Sequence, residues 1–506
     1  MSPDQNMKSL IAWLPDLIFT GGRFESGFAL VCDSFGAIVR VARVDELKDE
    51  KRINLPKRVL LPGMVNSHSH AFQRMLRGRT EYRTNHQQDS FWTWREMMYS
   101  AATRLTPEDI YDASRMAFLE MALHGITAVG EFHYLHHQPD GTPYDDPNLL
   151  AKEVVRAAGD VGLRIALLRV AYARSGFQTE PNPKQARFIE KDPEAYLRNL
   201  ENLREDLRGS SPTVSQGVVD RADALTHGRA TAPSAWVGVA PHSVRAVPLD
   251  YLHRVIAHAN QTNLKVHMHV AEQPVEVSAC VEEYGRTPVS LLQTEGLLSE
   301  SFTAVHAIHV TPKAIPSFAR TGAMVCACPT TERNLGDGVV PADEYFKHHV
   351  PISLGTDSHA QIDLLEDARE LEYHLRLQKL ERAVLERSSS PTVREGVSLG
   401  AASHESSSLA VRLFDCATRN GARSIGAPGG ALESGKAADF FTVALDDPAI
   451  AGASTDNLLA NIVFSLSCAA VREVVVGGKP IVSEGQHVVQ EEIIERFGDL
   501  QKRLWS

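Results

Sequence analysis

The sequence predicts an α/β chain built around a parallel barrel, with a smaller β-rich unit made from both ends. Three observations carry this expectation. Between residues 63 and 430, helical and strand patterns alternate, as repeated β-α units require. Residues able to bind metal or move protons fall at the ends of several separate apolar runs, which suits a barrel better than an open sheet. The two ends, residues 1–62 and 431–506, instead carry short β-like runs punctuated by turn residues.

Along the chain, Phe28-Ala29-Leu30-Val31-Cys32 and Ala37-Ile38-Val39-Arg40-Val41 read as strands, as does Val59-Leu60-Leu61 before the turn Pro62-Gly63. The first long helix is well marked. Thr106 is an N-cap, Pro107 suits the first turn, and Glu108 and Asp109 complement the helix dipole. Apolar residues recur at Ile110, Ala113, Phe118, Met121 and Leu123 until Gly125 ends the helix, and Ile126-Thr127-Ala128-Val129 follows as a strand. Further strands are expected at Ile165–Leu168, Trp236–Val239, Leu264–His267, Ala304–His306 and Ile352–Leu354. The tail offers Asp439–Leu445, then Val474–Val476 and Ile481–Val482 around Gly477-Gly478, a hairpin pattern. The two ends are expected to pair with each other. Two polar stretches, 205–235 with Ser210-Ser211-Pro212 and 386–408 with Ser388-Ser389-Ser390-Pro391, read as exposed insertions.

The bulk numbers narrow the function. With 506 residues, 43% hydrophobic and 23% charged, the chain can bury a large core. A formal charge of -11 argues against non-specific nucleic-acid binding, although a locally basic pocket can still take an anion. The six cysteines, Cys32, Cys280, Cys326, Cys328, Cys416 and Cys468, show no disulfide framework. Cys326-Ala327-Cys328 lacks the gap of a redox or zinc motif and reads as small buried apolar residues. No apolar run approaches the roughly 18 residues of a membrane span. The early run Leu10–Leu14 is broken by Pro15 and Asp16 and has no basic lead-in. A cytoplasmic location follows as the expectation.

Four segments carry the chemistry. They are Val65-Asn66-Ser67-His68-Ser69-His70, His267-Met268-His269-Val270-Ala271-Glu272, Val305-His306-Ala307-Ile308-His309 and Leu354-Gly355-Thr356-Asp357-Ser358. Side chains alternate along a strand, so His68 and His70 face the same way. Any two histidines can fall on a loop; a third imidazole and a carboxylate on other strands turn the pair into a site suited to Zn²⁺ with room for water. Such a site predicts hydrolysis by activated water. His267 and His269 share face parity, and spacing does not choose between them. Glu272 lies just beyond, placed to hand on a proton. His306 closes its strand, whereas His309 falls past the strand end. Asp357 can both touch the metal and accept a proton. His359 reads equally well as a support of the site or as a loop histidine. The strand Val239-Ala240-Pro241-His242 ends without a lysine, which argues for one metal rather than a carbamate-bridged pair.

The order of these motifs resembles the deaminase branch of the amidohydrolase superfamily, over nearly the whole chain. The resemblance implies a (β/α)₈ barrel with a composite β-sandwich from the chain ends. It implies metal ligands at His68, His70, His269 and Asp357, so choosing His269, with Glu272, His306 and Asp357 as catalytic groups. One divalent metal is expected, Zn²⁺ before Fe²⁺. Finer motifs resemble the formimidoylglutamate deiminase family: His70-Ala71-Phe72-Gln73-Arg74, Asp89-Ser90-Phe91-Trp92-Thr93-Trp94-Arg95-Glu96, Glu131-Phe132-His133-Tyr134, Pro241-His242-Ser243-Val244-Arg245 and Cys328-Pro329-Thr330-Thr331-Glu332-Arg333-Asn334-Leu335-Gly336-Asp337-Gly338. That family converts N-formimidoyl-L-glutamate and water to N-formyl-L-glutamate and ammonia in histidine degradation. The resemblance implies substrate contacts at Gln73, Arg95, Tyr134, His242 and Arg245.

The chemistry agrees with that implication. A substrate with two carboxylates and one amidinium suits Arg95 and Arg245 as forked donors, with Tyr134, Gln73 and His242 adding neutral ones. Trp92 and Trp94 fit packing or pocket wall equally. The two polar insertions depart from the family's compact pattern. The expected partner is a small dicarboxylate amidine, and a homodimer is expected. The rivals are a deaminase acting on guanine or a related ring, and a barrel that has lost catalysis and serves as a scaffold. Missing ligands would mark the second, and none is missing here.

Overall fold

A computed structural model describes residues 10–82, 90–209, 232–386 and 408–506. Asp89, and residues 210–231 and 387–407 of the two expected insertions, lie outside the described residues.

The chain opens with β1 (Ile11–Thr20), β2 (Arg23–Ser26), β3 (Phe28–Cys32), β4 (Ile38–Arg43) and β5 (Lys51–Pro62). It then passes through Gly63 into eight successive strands. These are β6 (Met64–Ser69), β7 (Ile126–His133), β8 (Arg164–Ala171), β9 (Ala235–Pro241), β10 (Val266–Val270), β11 (Phe302–His306), β12 (Met324–Ala327) and β13 (Ile352–Leu354). They pair in chain order, each parallel to the next. Strands β7 and β8 are buried along their whole length. Apolar residues therefore fall at successive positions rather than alternate ones, as in Ala128-Val129 and Ile165–Leu168.

The ring is completed where β6 meets β13. Asp357 N donates to His68 O at 3.0 Å, and His70 N donates to Asp357 O at 3.0 Å. Gly355 permits this approach: a Cβ there would stand 2.7 Å from His68 Cβ and 2.9 Å from His68 O.

The opposite end of the barrel is filled by the short helix Arg419–Ile425. Asn420 Nδ2 donates to Ile352 O on β13, and Trp236 Nε1 on β9 donates to Ile425 O, both at 2.8 Å. Ser424 meets His267 of β10 and Thr303 of β11. A Cβ on Gly421 would lie 2.5 Å from Val65 O on β6. One short helix thus touches strands around much of the ring.

The helix Pro107–Leu123 forms as its capping residues dictate. Thr106 Oγ1 accepts from Asp109 N at 3.2 Å, and Asp109 Oδ2 accepts from Thr106 N at 2.8 Å. Gly125, at φ 80°, turns the chain into β7.

Strands β14 (Phe440–Ala444), β15 (Val471–Val476), β16 (Lys479–Ser483) and β17 (Gln486–His487) return to the first five. The resulting nine-stranded sheet has the order β17-β16-β15-β14-β5-β1-β3-β4, with β2 beside β1. The antiparallel β5–β14 pairing joins the two chain ends. Trp13, Ile18, Leu30, Leu60, Phe440 and Val475 form a core of its own. The turn Gly477-Gly478 has φ of 57° and 72°, the positive values that a two-residue hairpin loop favours. Arg164 on β8 reaches across to Asp439 with paired bonds of 2.7 and 3.1 Å, tying sheet to barrel through a buried ion pair.

The β-like reading of the tail missed two helices, Leu458–Ser465 and Gln490–Trp505. In the second, Ile493, Phe497, Leu500 and Leu504 fall at helical spacing and are buried. This helix packs against Pro107–Leu123, where Arg115 holds Glu492 through bonds of 2.9 and 2.6 Å. Gln501 Nε2 donates to Met75 O at 3.0 Å, bracing the turn that follows His70. Among the described residues, no helix is long and apolar enough to cross a membrane.

Overpacking at the barrel closure should be costly. Gly355→Ala is expected to lower stability by about 1–3 kcal/mol and to reduce bound metal. Thermal unfolding and metal analysis of the purified variant measure both.

Candidate active site

The site lies where the barrel strands end, and β6 contributes most to it. His68 lies on β6 and His70 directly after its end; the two-residue spacing turns both towards the cluster, and both are buried. His269 arrives from β10 and His306 from β11, while Asp357 follows β13. The backbone here is unusual: Ala271, His306, Ala307, Asp357 and His359 all have φ between 46° and 67°. Non-glycine residues held in this region store strain, and such strain clusters at functional sites.

Ligand atoms of His68, His70, His269 and Asp357 all lie within 4.8 Å of one another. His68 Nε2 is 3.1 Å from His269 Nε2, and His70 Nε2 is 3.2 Å from Asp357 Oδ1. Backbone oxygens fix two of the ring orientations. His70 Nδ1 lies 2.9 Å from Phe132 O, and His269 Nδ1 lies 3.1 Å from His242 O. A carbonyl only accepts, so these Nδ1 atoms carry the protons and the Nε2 lone pairs turn inward. Converging lone pairs repel unless a cation stands between them. Burial pushes the His68 pKa down to about 3 and holds His269 well below the usual imidazole value. Burial opposes the charge on Asp357, but the neighbouring His68, His70 and His306 outweigh it and keep the carboxyl well below its ordinary range. Neutral imidazoles beside an ionised carboxylate are the donor set of a divalent cation.

Buried polar groups hold these side chains in place. Asn66 Nδ2 donates to Thr356 Oγ1 at 2.7 Å, and Asn66 Oδ1 accepts from Thr356 N at 3.1 Å. Glu131 accepts from Ala71 N at 2.7 Å and from the Ser69 hydroxyl; burial pushes its pKa up to about 7. His359 bridges Ser69 Oγ and Thr356 Oγ1, each at 3.0 Å, so it supports the site from below.

His306 Nε2 has no hydrogen-bond partner and stands 3.6 Å from both Glu272 Oε1 and Asp357 Oδ2. Its Nδ1 faces Glu332 Oε1 at 3.2 Å. That carboxylate comes from the helix Pro329–Leu335, distant in sequence from His306; the sequence reading quoted Glu332 within a motif but gave it no role. Glu332 also accepts from Cys328 N at 2.9 Å. Burial disfavours charge on His306, yet Glu272, Glu332 and Asp357 hold its pKa well above the usual value. Burial raises the Glu272 pKa; His306 opposes the rise, and Asp357 and Glu276 add to it. The alternatives left open by spacing fall elsewhere. His267 Nε2 meets Ser424 O at 3.1 Å, and His309 Nε2 meets Asp337 O at 2.8 Å.

A cavity opens onto this cluster. His70, His269, Glu272 and Asp357 line it, and so do Gln73, Arg95, Tyr134, His242 and Arg245. Gln73 Nε2 donates to Tyr134 OH at 2.7 Å. Arg95 Nη1 and Arg245 Nη1 are buried without hydrogen-bond partners. The helix Phe91–Ala102 presents Phe91, Trp94, Arg95 and Met98 to the cavity, at the spacing of one helix face. Trp92 stacks with the Arg95 guanidinium at 4.7 Å. Tyr99 and Tyr172 also line the cavity; nothing in their local sequence marked them.

Residues 59–481 match the Amidohydrolase family. A formimidoylglutamate deiminase of Pseudomonas aeruginosa is 36% identical over 439 residues, covering 87% of this chain and 88% of that protein. A 5-methylthioadenosine/S-adenosylhomocysteine deaminase of Pyrococcus abyssi is 26% identical over 463 residues, 91% of each. The crystal structure of an amidohydrolase from Brucella melitensis superposes with a TM-score of 0.82 at 32% identity, covering 98% of this chain and 100% of that one. By the extent of these matches, the chain belongs to the amidohydrolase family, whose chemistry is metal-dependent.

Proposed function

We propose that this enzyme hydrolyses N-formimidoyl-L-glutamate to N-formyl-L-glutamate and ammonia, a step of histidine degradation. The observation that carries this reading is the pair of buried guanidinium groups. Arg95 and Arg245 face the same cavity as the metal-ligand cluster, each with an unpartnered Nη1. A buried cation without a partner is costly, and a ligand carboxylate would satisfy each one with charge-assisted bonds. The 36% identical deiminase of P. aeruginosa supports the same substrate class.

His68, His70, His269 and Asp357 would hold one divalent cation. Three imidazoles and one carboxylate fit Zn²⁺ with an open position, in preference to Fe²⁺. When bound, that cation would lower the pKa of water towards about 7 and polarise the amidine carbon's substituents. The remaining steps belong to the chain. Asp357 takes the proton of the attacking water as its oxygen bonds to the formimidoyl carbon. His306 Nε2, free of other partners and held through Glu332, steadies the oxygen as charge builds on it. Glu272, its pKa raised by burial, carries a proton to the departing nitrogen. The carbon–nitrogen bond then breaks and ammonia leaves. Arg95 and Arg245 fix the carboxylates, while Gln73, Tyr134 and His242 orient the amidine above the cluster. The barrel that performs this chemistry is taken as residues 63–430, a division supported by the passage from β5 into β6 at Gly63.

A ring deaminase is the second reading, and the relative from P. abyssi is of that kind by name. Ammonia release from N-formimidoyl-L-glutamate, with none from guanine or adenosine analogues, decides for the linear substrate; the reverse result rejects it.

Three outcomes are expected. Glu272→Gln should lose at least about 100-fold in kcat while keeping its metal, measured by ammonia release and metal analysis on the same sample. Arg245→Met should lower kcat/KM by roughly 10- to 100-fold, and an unchanged value removes Arg245 from carboxylate binding. A chelator should abolish turnover, and added Zn²⁺ should restore it. Recovery with Fe²⁺ but not with Zn²⁺ would reverse the metal assignment.

A further inference from the structure

Gln185 lies behind the cavity wall, in the turn Pro183–Gln185 that follows β8. It is 1% exposed. Its Nε2 donates to Tyr99 OH and to Tyr172 OH, each at 2.7 Å. Both phenols line the cavity, and Gln185 does not. The two hydroxyls are 3.5 Å apart, too far for a good O–H···O bond. Each phenol oxygen therefore accepts from the amide, and its own proton is left to point elsewhere. The reverse placement of the amide would leave two buried N–H donors without acceptors. The observed one leaves only the Gln185 carbonyl oxygen unpartnered, which is the smaller loss. Arg95 stacks over the Tyr99 ring at 5.2 Å, which sets that phenol beside a guanidinium lining the same cavity.

We infer that Gln185 is a positioning residue for anion recognition, aiming the hydroxyl protons of Tyr99 and Tyr172 at a ligand carboxylate beside Arg95 and Arg245. The inference rests on the dicarboxylate reading above and deepens it. The carboxylate end of the cavity then offers two neutral O–H donors as well as two guanidinium forks. Two phenols held by one amide act as a unit. Burial raises the Tyr99 pKa, the largest cause, which keeps that hydroxyl a donor. The arrangement selects a planar anion over a neutral amide, because an amide N–H₂ facing these donors would leave protons opposed to protons.

The test is a mutant cycle with two readouts. Gln185→Leu should raise KM for N-formimidoyl-L-glutamate and Kd for glutarate, by roughly tenfold each, with kcat changed by less than about twofold. Tyr99→Phe/Tyr172→Phe should do the same, and Gln185→Leu added to that pair should weaken binding no further. Gln185→Glu, whose carboxylate accepts both phenol protons and repels the anion, should bind glutarate more weakly than Gln185→Leu. A merely structural role predicts additive losses and a fall in kcat. Unchanged glutarate affinity in Gln185→Leu, or additivity with the phenylalanine pair, overturns the inference. If Gln185→Leu does not fold, unchanged affinity in the phenylalanine pair overturns it equally. Should the wild-type protein bind glutarate and follow this cycle yet not turn over N-formimidoyl-L-glutamate, the substrate reading fails and the inference stands. Failure of the wild type to bind glutarate overturns the inference itself.

Discussion

Barrel closure and assembly of the candidate metal site are one event in this protein. The hydrogen bonds that bring β13 against β6 run between the backbones of Asp357, His68 and His70, and the side chains of the same residues form three corners of the cluster. Whatever brings the last strand to the first also brings the aspartate to the imidazoles. The tightness of that approach is set by Gly355, which has no atom to place against His68. Asn66 and Thr356 then pin the two strands from within. The ligands cannot drift apart without opening the ring, and this gives a four-residue site the rigidity of a whole barrel.

Much of this was legible because strand geometry is simple. Alternation places His68 and His70 on one face, and capping chemistry marks the helix that begins after Thr106. The ambiguity between His267 and His269 has a physical reason. Both face inward, but they occupy different layers of the barrel: His269 reaches the cluster, whereas His267 meets the helix Arg419–Ile425 at the opposite end. Parity reports direction and not height. Glu332, quoted in a motif without a role, and Gln185, not marked at all, escaped assignment for another reason. Each acts on a residue far away in sequence, and a carboxylate or amide on a short helical turn has no local signature. The terminal helix was missed although its spacing was present, because its apolar residues are outnumbered by charged ones and follow directly on a hairpin.

The electrostatics divide the cavity into two halves. Around His306 the carboxylates of Glu272, Glu332 and Asp357 gather negative charge. Across the cavity, Arg95 and Arg245 hold positive charge with few local partners. A zwitterionic molecule with its cationic end at one side and its anionic ends at the other would be bound and aligned by the same field. Orientation of this kind contributes to rate as well as to affinity, since the reacting carbon arrives in a fixed attitude.

The position of the barrel-filling helix in the chain has a consequence for biosynthesis. Residues 419–425 follow all eight barrel strands, and the partner of β5 follows later still, at Phe440–Ala444. As the polypeptide leaves the ribosome, its earliest sheet therefore waits with one edge bare, and the ring waits with one end uncovered. Until residues 419–444 have emerged, the nascent protein exposes an unsatisfied strand edge and an uncovered barrel end, surfaces that invite aggregation. The fold locks late, and a chaperone's protection would matter most during that interval.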